Sequence, residues 1–466
     1  MLLRLEVDGF KNLVGFHAEF GPLTCIAGEN GVGKSNVFDA IEFLSLLADQ
    51  PLLEAARLVR SNRADAGGEP GHLFSVGATS RPMKFAAEVV VPSSVVDDFG
   101  VEASPTITLL RYELHIGYEA PVGGSRQGRL VVGREDLRHI NVGEAHRHIR
   151  FPHRAKVFRS AVVQGRRSGG PFISTEVENE RITVHQDGGS RGRPRRALPT
   201  RAFTTVVSTV NTADAPTILA FRRELQSWRR LALEPSALRT PDRFVDPGVI
   251  GSDGRHLASA LYRIAMQDSD RSSPENVYAR VANRLSRLAG LDVRSLRVEV
   301  DEVRELFEVV MEEGHRGPLP ARSLSEGTLR FLALCVILED PEMTGVLTME
   351  EPENGIHPAN LPEMVRLIED LAVDAFNRPA ADNPVRQVIV NSHSPGVVQL
   401  VSPGDLLVAT ERYVEIDGSV IMALRVDGVR GTWRTSPSDD GASKADLLPY
   451  LENPPGAQIA LQFDVA

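Results

Sequence analysis

Residues 28–35 read GENGVGKS, and this order of residue types suits a loop that holds phosphate. In the pattern G-x-x-x-x-G-K-[ST], glycines stand where the backbone must approach an anion closely and turn its N–H groups inward. Lys34 is placed to reach the β- and γ-phosphates of a nucleotide, and Ser35 to offer its hydroxyl to Mg²⁺. A helix starting at this lysine adds the positive end of its dipole. Asn30, Gly31, Gly33, Lys34, Ser35 and Asn36 are the expected ATP contacts, with Ser35 also on the metal.

Three later stretches carry chemistry of a complementary kind. GVLTMEEPENGIHP (345–358) is a short apolar run that ends in Glu350 and Glu351. Ligands of an α/β fold gather at the carboxyl ends of its strands. Two adjacent buried acids repel each other unless a cation or a proton satisfies one. Mg²⁺ for one and a nucleophilic water for the other resolves that conflict. RQVIVNSHSPGVV (386–398) is a second apolar run, followed by His393. In RSLSEGTLRFLALCVIL (322–338), Ser325 suits a helix N-cap and Gly327 permits close backbone approach.

The elements that must position these residues follow from hydropathy. LTCIA (23–27) predicts a buried strand entering the loop, and Val37, Phe38, Ile41, Phe43, Leu44 and Leu47 follow at helical spacing. LLRLEVDGF and LVGFHAEF predict strands joined by a turn at Lys11 and Asn12, and residues 62–82 a loop. Further strands are expected at KFAAEVVV, TLLRYELHIGY, AKVFRSAVV, RITVHQ and LRVEV. LAFRRELQSWRRLAL, HLASALYRIAMQ and VYARVANRLSRLAG carry helical periodicity. The residues after Val401 predict a strand-rich tail with a flexible stretch, TSPSDDGAS (435–443).

Composition narrows the setting. The 466 residues are 42% hydrophobic and 24% charged, ordinary values for a globular protein. Cys25 and Cys335 both lie in apolar runs, which predicts buried thiols and a reducing, cytoplasmic compartment. The longest strongly apolar run, FLALCVIL, is far shorter than a membrane span. The formal net charge is −10, yet Arg147–Arg201 holds 13 Lys and Arg against 4 Asp and Glu. That asymmetry predicts an anionic partner for this region. Internal repeats and long heptad arrays are absent from the sequence.

In this order the four motifs resemble an ABC-type ATPase head. LSEGT is similar to the ABC signature, TMEE to the Walker B strand with its catalytic glutamate, and SHSP to the switch-histidine loop. EEPENGIHP, LSEGTLRFLAL and His-Ser-Pro resemble phrases of bacterial AAA family ATPases related to the SMC, RecF and OLD proteins, as do ITVHQDGGSRGRPR and LEPSALR. The resemblance covers most of residues 1–410. It implies an α/β P-loop NTPase fold, with a mixed sheet and an inserted helical subdomain. The divisions expected are 1–210 and 296–402 for the two halves of the head, 211–295 for the helical subdomain and 403–466 for the tail. It also implies ATP hydrolysis. Glu350 would bind Mg²⁺ through water, Glu351 would orient or deprotonate the attacking water, and His393 would sense the γ-phosphate. Ser325 and the Gly327 backbone would grip a partner subunit's ATP, which makes a head-to-head homodimer the expected assembly. Lys11 and Asn12 stand where SMC-like proteins often touch the nucleotide. Glu350 departs from the pattern, which usually has Asp, and the Q-loop glutamine is not identifiable beyond the candidates Gln50 and Gln164.

What the ATP drives is less directly written. Sixty-five residues follow Val401 without an Asp-x-Asp pair, so a built-in Toprim nuclease is not expected. The resemblance then implies a sensor or motor of a DNA-repair or phage-defence system with a separate nuclease or toxin as effector. The arginines of HRHIRFPHRAKVFRS and SRGRPRR suit duplex-backbone contact. Phe151 and Phe158 are too few for a base-stacking platform. The alternative is an ATP-dependent switch that holds and releases a protein partner without touching DNA. The acidic remainder of the chain would suit a basic partner.

Overall fold

The computed structural model describes all residues except 60–69, 76–78, 122–127, 168, 177, 179, 188–197, 200, 268–272, 316, 417, 436–440, 444–445 and 447–466. The run SRGRPRR and most of TSPSDDGAS therefore lie outside the described residues. The chain forms two compact units. The first comprises Met1–Arg229, Ala375–Pro379 and Pro403–Ala445, and the second Arg230–Asp374, Ala380–Ser402 and Asp446–Ala466.

In the first unit, β1 (Leu2–Asp8) alternates buried and half-buried residues along most of its length, as expected of a strand with one face on a core. It pairs antiparallel with β2 (Phe16–Glu19). β3 (Leu23–Ala27) is buried at all five positions and leads into the glycine loop, after which α1 (Lys34–Leu46) begins. β4 (Met83–Val90), β5 (Leu109–Glu119), β6 (Arg129–His139), β7 (Ile173–Glu176) and β8 (Arg181–Val184) complete an antiparallel sheet in the order β8-β7-β6-β5-β4-β1-β2, with Leu198–Pro199 added beside β8. Phe10, Phe43 of α1 and Phe85 of β4 stack and tilt against one another at centroid distances of 5.5–5.8 Å, which anchors the helix after the glycine loop on this sheet.

Two sequence expectations fail in this unit. AKVFRSAVV is helical at Ala155–Val162 rather than extended. Phe158 and Val162, four residues apart, are both buried, so a helical turn puts both on the core side, and Ser160 Oγ donates back to Lys156 O at 2.7 Å. LAFRRELQSWRRLAL does not stay helical either. α2 (Pro216–Gln226) stops where Ser227 Oγ takes the Glu224 carbonyl at 2.6 Å and Trp228 Nε1 binds the Glu224 carboxylate at 2.9 Å. Arg229–Leu231 is a strand, β9, at the passage to the second unit.

β13 (Leu406–Ile416) and β14 (Ser419–Gly428) form a hairpin in the first unit. β13 pairs in parallel with β3, Leu406 opposite Cys25 and Val408 opposite Ala27. The segment after Val401 thus supplies the neighbour of the strand that carries the glycine loop.

In the second unit, α3 (Leu257–Gln267) and α4 (Pro274–Ala289) precede a hairpin of β10 (Val293–Asp301) and β11 (Leu306–Glu313). Helix α5 (Glu326–Glu339) is buried around most of its circumference. Strand β12 (Gly345–Glu350) then connects through α6 (Leu361–Leu371) to a strand over Arg386–Ser392, hereafter βC, which lies parallel to it. Arg386 opens βC fully buried, donating to Asp340 O at 2.7 Å and Met343 O at 2.6 Å. These bonds fix the turn before β12 to the start of βC.

Glu135 of β6 is also fully buried. It accepts from Tyr112 Oη at 3.1 Å and from the Val206 and Val207 N–H groups at 2.6 and 3.1 Å. Burial pushes its carboxyl up to about 7, from an ordinary value of 4.5. The stability contributed by the neutral form is present below pH 4.5 and is lost as pH rises through about 7. Thermal unfolding of wild type and Glu135→Gln at about pH 5 and about pH 8 checks this. The midpoint of wild type is expected to fall relative to the variant at the higher pH, by an amount on the order of 3 kcal/mol of stability.

Candidate phosphate loop and carboxylate cluster

In the first unit the glycine loop is shaped as the sequence predicts. Gly31 and Gly33 adopt φ of 90° and 97°, the left-handed region that favours glycine. Gly33 caps α1, no side chain caps the helix, and its first turn holds no acid. The N-terminal N–H groups and the positive helix end therefore face the loop, an arrangement suited to an anion. Glu29, Asn30 and Gly31 are exposed, Ser35 and Asn36 are half-buried, and Lys34 is buried. Lys34 Nζ arcs back over the loop and donates to Gly28 O and Glu29 O, each at 2.7 Å.

Lys11 and Asn12 brace this loop. Asn12 Nδ2 donates to Val32 O at 3.0 Å and its Oδ1 accepts from Asn36 Nδ2 at 2.7 Å. Lys11 Nζ reaches Asp39 Oδ2, on the buried side of α1, at 2.6 Å. Gly28 is required by packing, since a Cβ there would stand 2.8 Å from Ala409 Cβ on β13. Asp39 carried no sequence signal beyond its place in the helix. The Q-loop candidates Gln50 and Gln164 sit in the same unit, half-buried and exposed, and Gln164 Nε2 donates to Ala161 O at 2.5 Å.

In the second unit β12 and βC bring together Glu350, Glu351 and His393. Glu350 lies opposite Asn391 in the parallel register. Glu350 Oε1 accepts from Arg230 at 2.8 Å, a partner for which the sequence offered no motif. Glu351 turns out of the strand at φ 44°, a left-handed conformation costing a non-glycine residue about 1 kcal/mol. Its N–H is held by Asn391 Oδ1 at 2.9 Å and Asn391 O at 3.2 Å. Glu351 Oε1 then meets His393 Nδ1 at 2.9 Å, and Oε2 accepts from Asn354 Nδ2 at 2.8 Å. Both partners stay accessible, the side chains of His393 and Glu351 being 39% and 28% exposed. A carboxylate locked against an imidazole, with one face open to solvent, can orient a water and accept its proton.

Glu353 was not singled out in the sequence, although it is the third acid of EEPE. It is buried, and burial raises its carboxyl above the ordinary range. A cavity of about 220 Å³ adjoins Glu350 and Glu351, walled by Leu231, Phe331, Leu334, Met349, Ile356 and Met364. Its apolar walls strengthen the electrostatics of the acids beside it.

Ser325 caps α5 as expected. Its Oγ accepts from the Thr328 N–H at 3.2 Å, and the residue is exposed. A Cβ at Gly327 would meet Gly355 O at an ordinary 3.6 Å, so the packing of the chain on itself does not require glycine here.

Phe151 and Phe158 of the arginine-rich stretch are buried. Arg150 is tied to Glu19 at 2.9 Å, and Arg167 to Asp187 O at 2.6 Å. Arg147, Arg154, Lys156, Arg159 and Arg166 have no carboxylate partner among the described residues, and all but the half-buried Arg159 are exposed.

The loop geometry separates two glycines. At Gly33 a Cβ would lie 2.1 Å from Asn12 Nδ2, whereas at Gly31 nothing lies within 4 Å. Gly31→Ala is expected to cost only the backbone strain, about 1–2 kcal/mol. Gly33→Ala should cost more, because Asn12 must also give up bonds worth about 1 kcal/mol each. Asn12→Ala should relieve that extra cost, so the double variant is expected to be less destabilised than the sum of the singles. Chemical denaturation of the four proteins measures it.

The family model described as "AAA domain, putative AbiEii toxin, Type IV TA system" matches residues 145–399, more than half of the chain. The DNA replication and repair protein RecF of Anaeromyxobacter dehalogenans (strain 2CP-C) is 42% identical over 108 residues, covering 21% of this chain and 29% of that protein. RecF of Anaeromyxobacter sp. (strain K) is 38% identical over 81 residues, 17% of this chain and 22% of that one. The chain thus spans under a third of the length of these curated relatives. Among solved structures, an Smc head bound to the C-winged helix domain of ScpA aligns over 91% of this chain and 97% of its own at 13% identity, with a TM-score of 0.43. The SMC head domain from Thermotoga maritima aligns over 91% and 97% at 14% identity, with a TM-score of 0.35. Among the described residues, no helix is long and apolar enough to cross a membrane. The matched span covers more than half of the chain, and the chain belongs to this AAA-domain family.

Proposed function

We propose that this protein binds ATP with Mg²⁺ and hydrolyses it as a head-to-head homodimer. In this reading it is the DNA-responsive sensor or motor of a repair or phage-defence system, with a separate nuclease or toxin as effector. The observation that carries the hydrolytic reading is the Glu351–His393 pair at 2.9 Å, half-open to solvent at the strand ends of the second unit. The acid-free first turn of α1 and the Lys34 ammonium over the loop support phosphate binding in the first unit.

Each residue then has a task. The N–H groups after Gly31 and Gly33 and the Lys34 ammonium take the phosphates, and Asn30 and Asn36 flank them. Ser35 would hold Mg²⁺ and Glu350 would hold it through water, and the ion would supply positive charge against the phosphates. Glu350 is paired with the Arg230 guanidinium at 2.8 Å, a bond it would have to loosen to serve the ion. Glu351 accepts the proton of the attacking water, and His393, its Nδ1 fixed by Glu351, turns Nε2 to the γ-phosphate. Ser325 and the Gly327 N–H serve the ATP of the second protomer.

The five exposed or half-exposed cations between Arg147 and Arg166 support a duplex contact through phosphates. The second reading, a switch that holds and releases a protein partner, draws support from the β13–β14 hairpin. There Tyr413 and Val420 are 68% and 71% exposed.

Steady-state ATP turnover with and without duplex DNA, with Glu351→Gln as the blank, tests the reading. Turnover should vanish in the blank and rise severalfold with DNA. Turnover indifferent to DNA would favour the protein-partner switch, and none above the blank would overturn hydrolysis by this chain alone. Gly327→Ala should fold normally and lose at least about tenfold in turnover, since only an outside approach needs that glycine. If the five cations meet phosphates, the slope of log affinity against log salt should be roughly −4 to −5. A flat response would remove DNA from the account.

A further inference from the structure

Glu353 and Ser392 form a contact that the proposed chemistry does not use. Glu353 is 8% exposed and Ser392 fully buried. Ser392 Oγ donates to Glu353 Oε1, and the same hydroxyl accepts from the Ser394 N–H at 3.0 Å. The hydroxyl thereby spans the residue between them, His393. The second oxygen, Glu353 Oε2, is buried and has no side-chain hydrogen-bond partner among the described residues.

A second contact runs the opposite way. Asn391, on βC, holds the N–H of Glu351, on the loop after β12. Glu353, on that loop, holds Ser392 on βC. Asn391 thus holds the backbone of Glu351, Glu353 holds the side chain of the residue before His393, and the Glu351–His393 pair lies between the two holds.

The geometry points to Glu353 as a positioning residue for the ATPase reaction: through Ser392 it fixes the turn that presents His393 to Glu351. This rests on the reading of Glu351 and His393 given above. Glu353 touches neither phosphate nor water in this scheme. It sets the direction of the imidazole, so its loss should lower the chemical step and spare nucleotide binding, which lies with the loop of the first unit.

The test uses the full chain as Glu353→Ala, Glu353→Gln, Ser392→Ala and the Glu353→Ala/Ser392→Ala double variant. Binding of a fluorescent ATP analogue should be unchanged in all. The turnover number should fall at least tenfold in Glu353→Ala and in Ser392→Ala, with KM within twofold. Glu353→Gln, whose amide oxygen can still accept from Ser392, should recover most of it. The double variant should be no worse than the poorer single. An activity-independent readout accompanies these: the ring signals of His393 in histidine-labelled protein, identified by their absence in His393→Gln. In wild type they should move on Glu351→Gln. In Glu353→Ala they should no longer respond to that change. Melting temperatures that fall with turnover per folded molecule intact would reduce Glu353 to a packing role. So would His393 signals that still report Glu351 in Glu353→Ala. If wild type shows no turnover, the hydrolytic reading fails while the histidine signals still decide the positioning claim.

Discussion

Three carboxylates within four residues, at the end of a strand buried over its first five positions, are the constraint on which the second unit depends. Charges that close together repel, and burial raises the cost of each. The fold answers with a different partner for every acid. Glu350 has Arg230, Glu351 has His393 and Asn354, and Glu353 has Ser392. The resulting order of burial is also an order of use. The two acids that retain access to solvent are those assigned to cation and water, and the one that is sealed in serves as a brace.

The first unit answers the mirror-image problem. A helix start with no acid in its first turn turns its positive end to the glycine loop. Its own carbonyls engage Lys34, and Asn12 supports the loop from outside. The Phe10–Phe43–Phe85 cluster keeps the helix from shifting on the antiparallel sheet, so the loop rests on rigid neighbours.

The arginine-rich stretch shows how much composition conceals. Its charge excess suggested one basic surface, yet Arg150 and Arg167 are spent inside the chain on Glu19 and on the carbonyls of Gln186 and Asp187. Phe151 and Phe158 are core residues, the latter on a helical turn that β-branched neighbours had disguised as a strand. Among the described residues, Arg147, Arg154, Lys156, Arg159 and Arg166 remain without a carboxylate partner and open to phosphate. That set offers charge without stacking, which suits a backbone contact.

Local chemistry made the glycine loop, the Ser325 cap, the apolar strands and the acids of β12 legible in the sequence. Each follows from residues near in the chain: positive φ from glycine, capping from a serine hydroxyl, burial from a continuous apolar run. Contacts between distant residues were not legible. Arg230 is 120 residues from Glu350, Asn391 is 40 from Glu351 and Ser392 is 39 from Glu353. No periodicity encodes such pairs, because they exist only once parallel pairing sets Glu350 opposite Asn391. The same holds for β13, which reads as a tail strand until its register with β3 places Ala409 against Gly28. Residue type and local spacing were enough to mark side chains able to do the chemistry. The tertiary structure decided which of them are held, by what, and how far from water, since burial and register belong to the whole fold and not to any one segment.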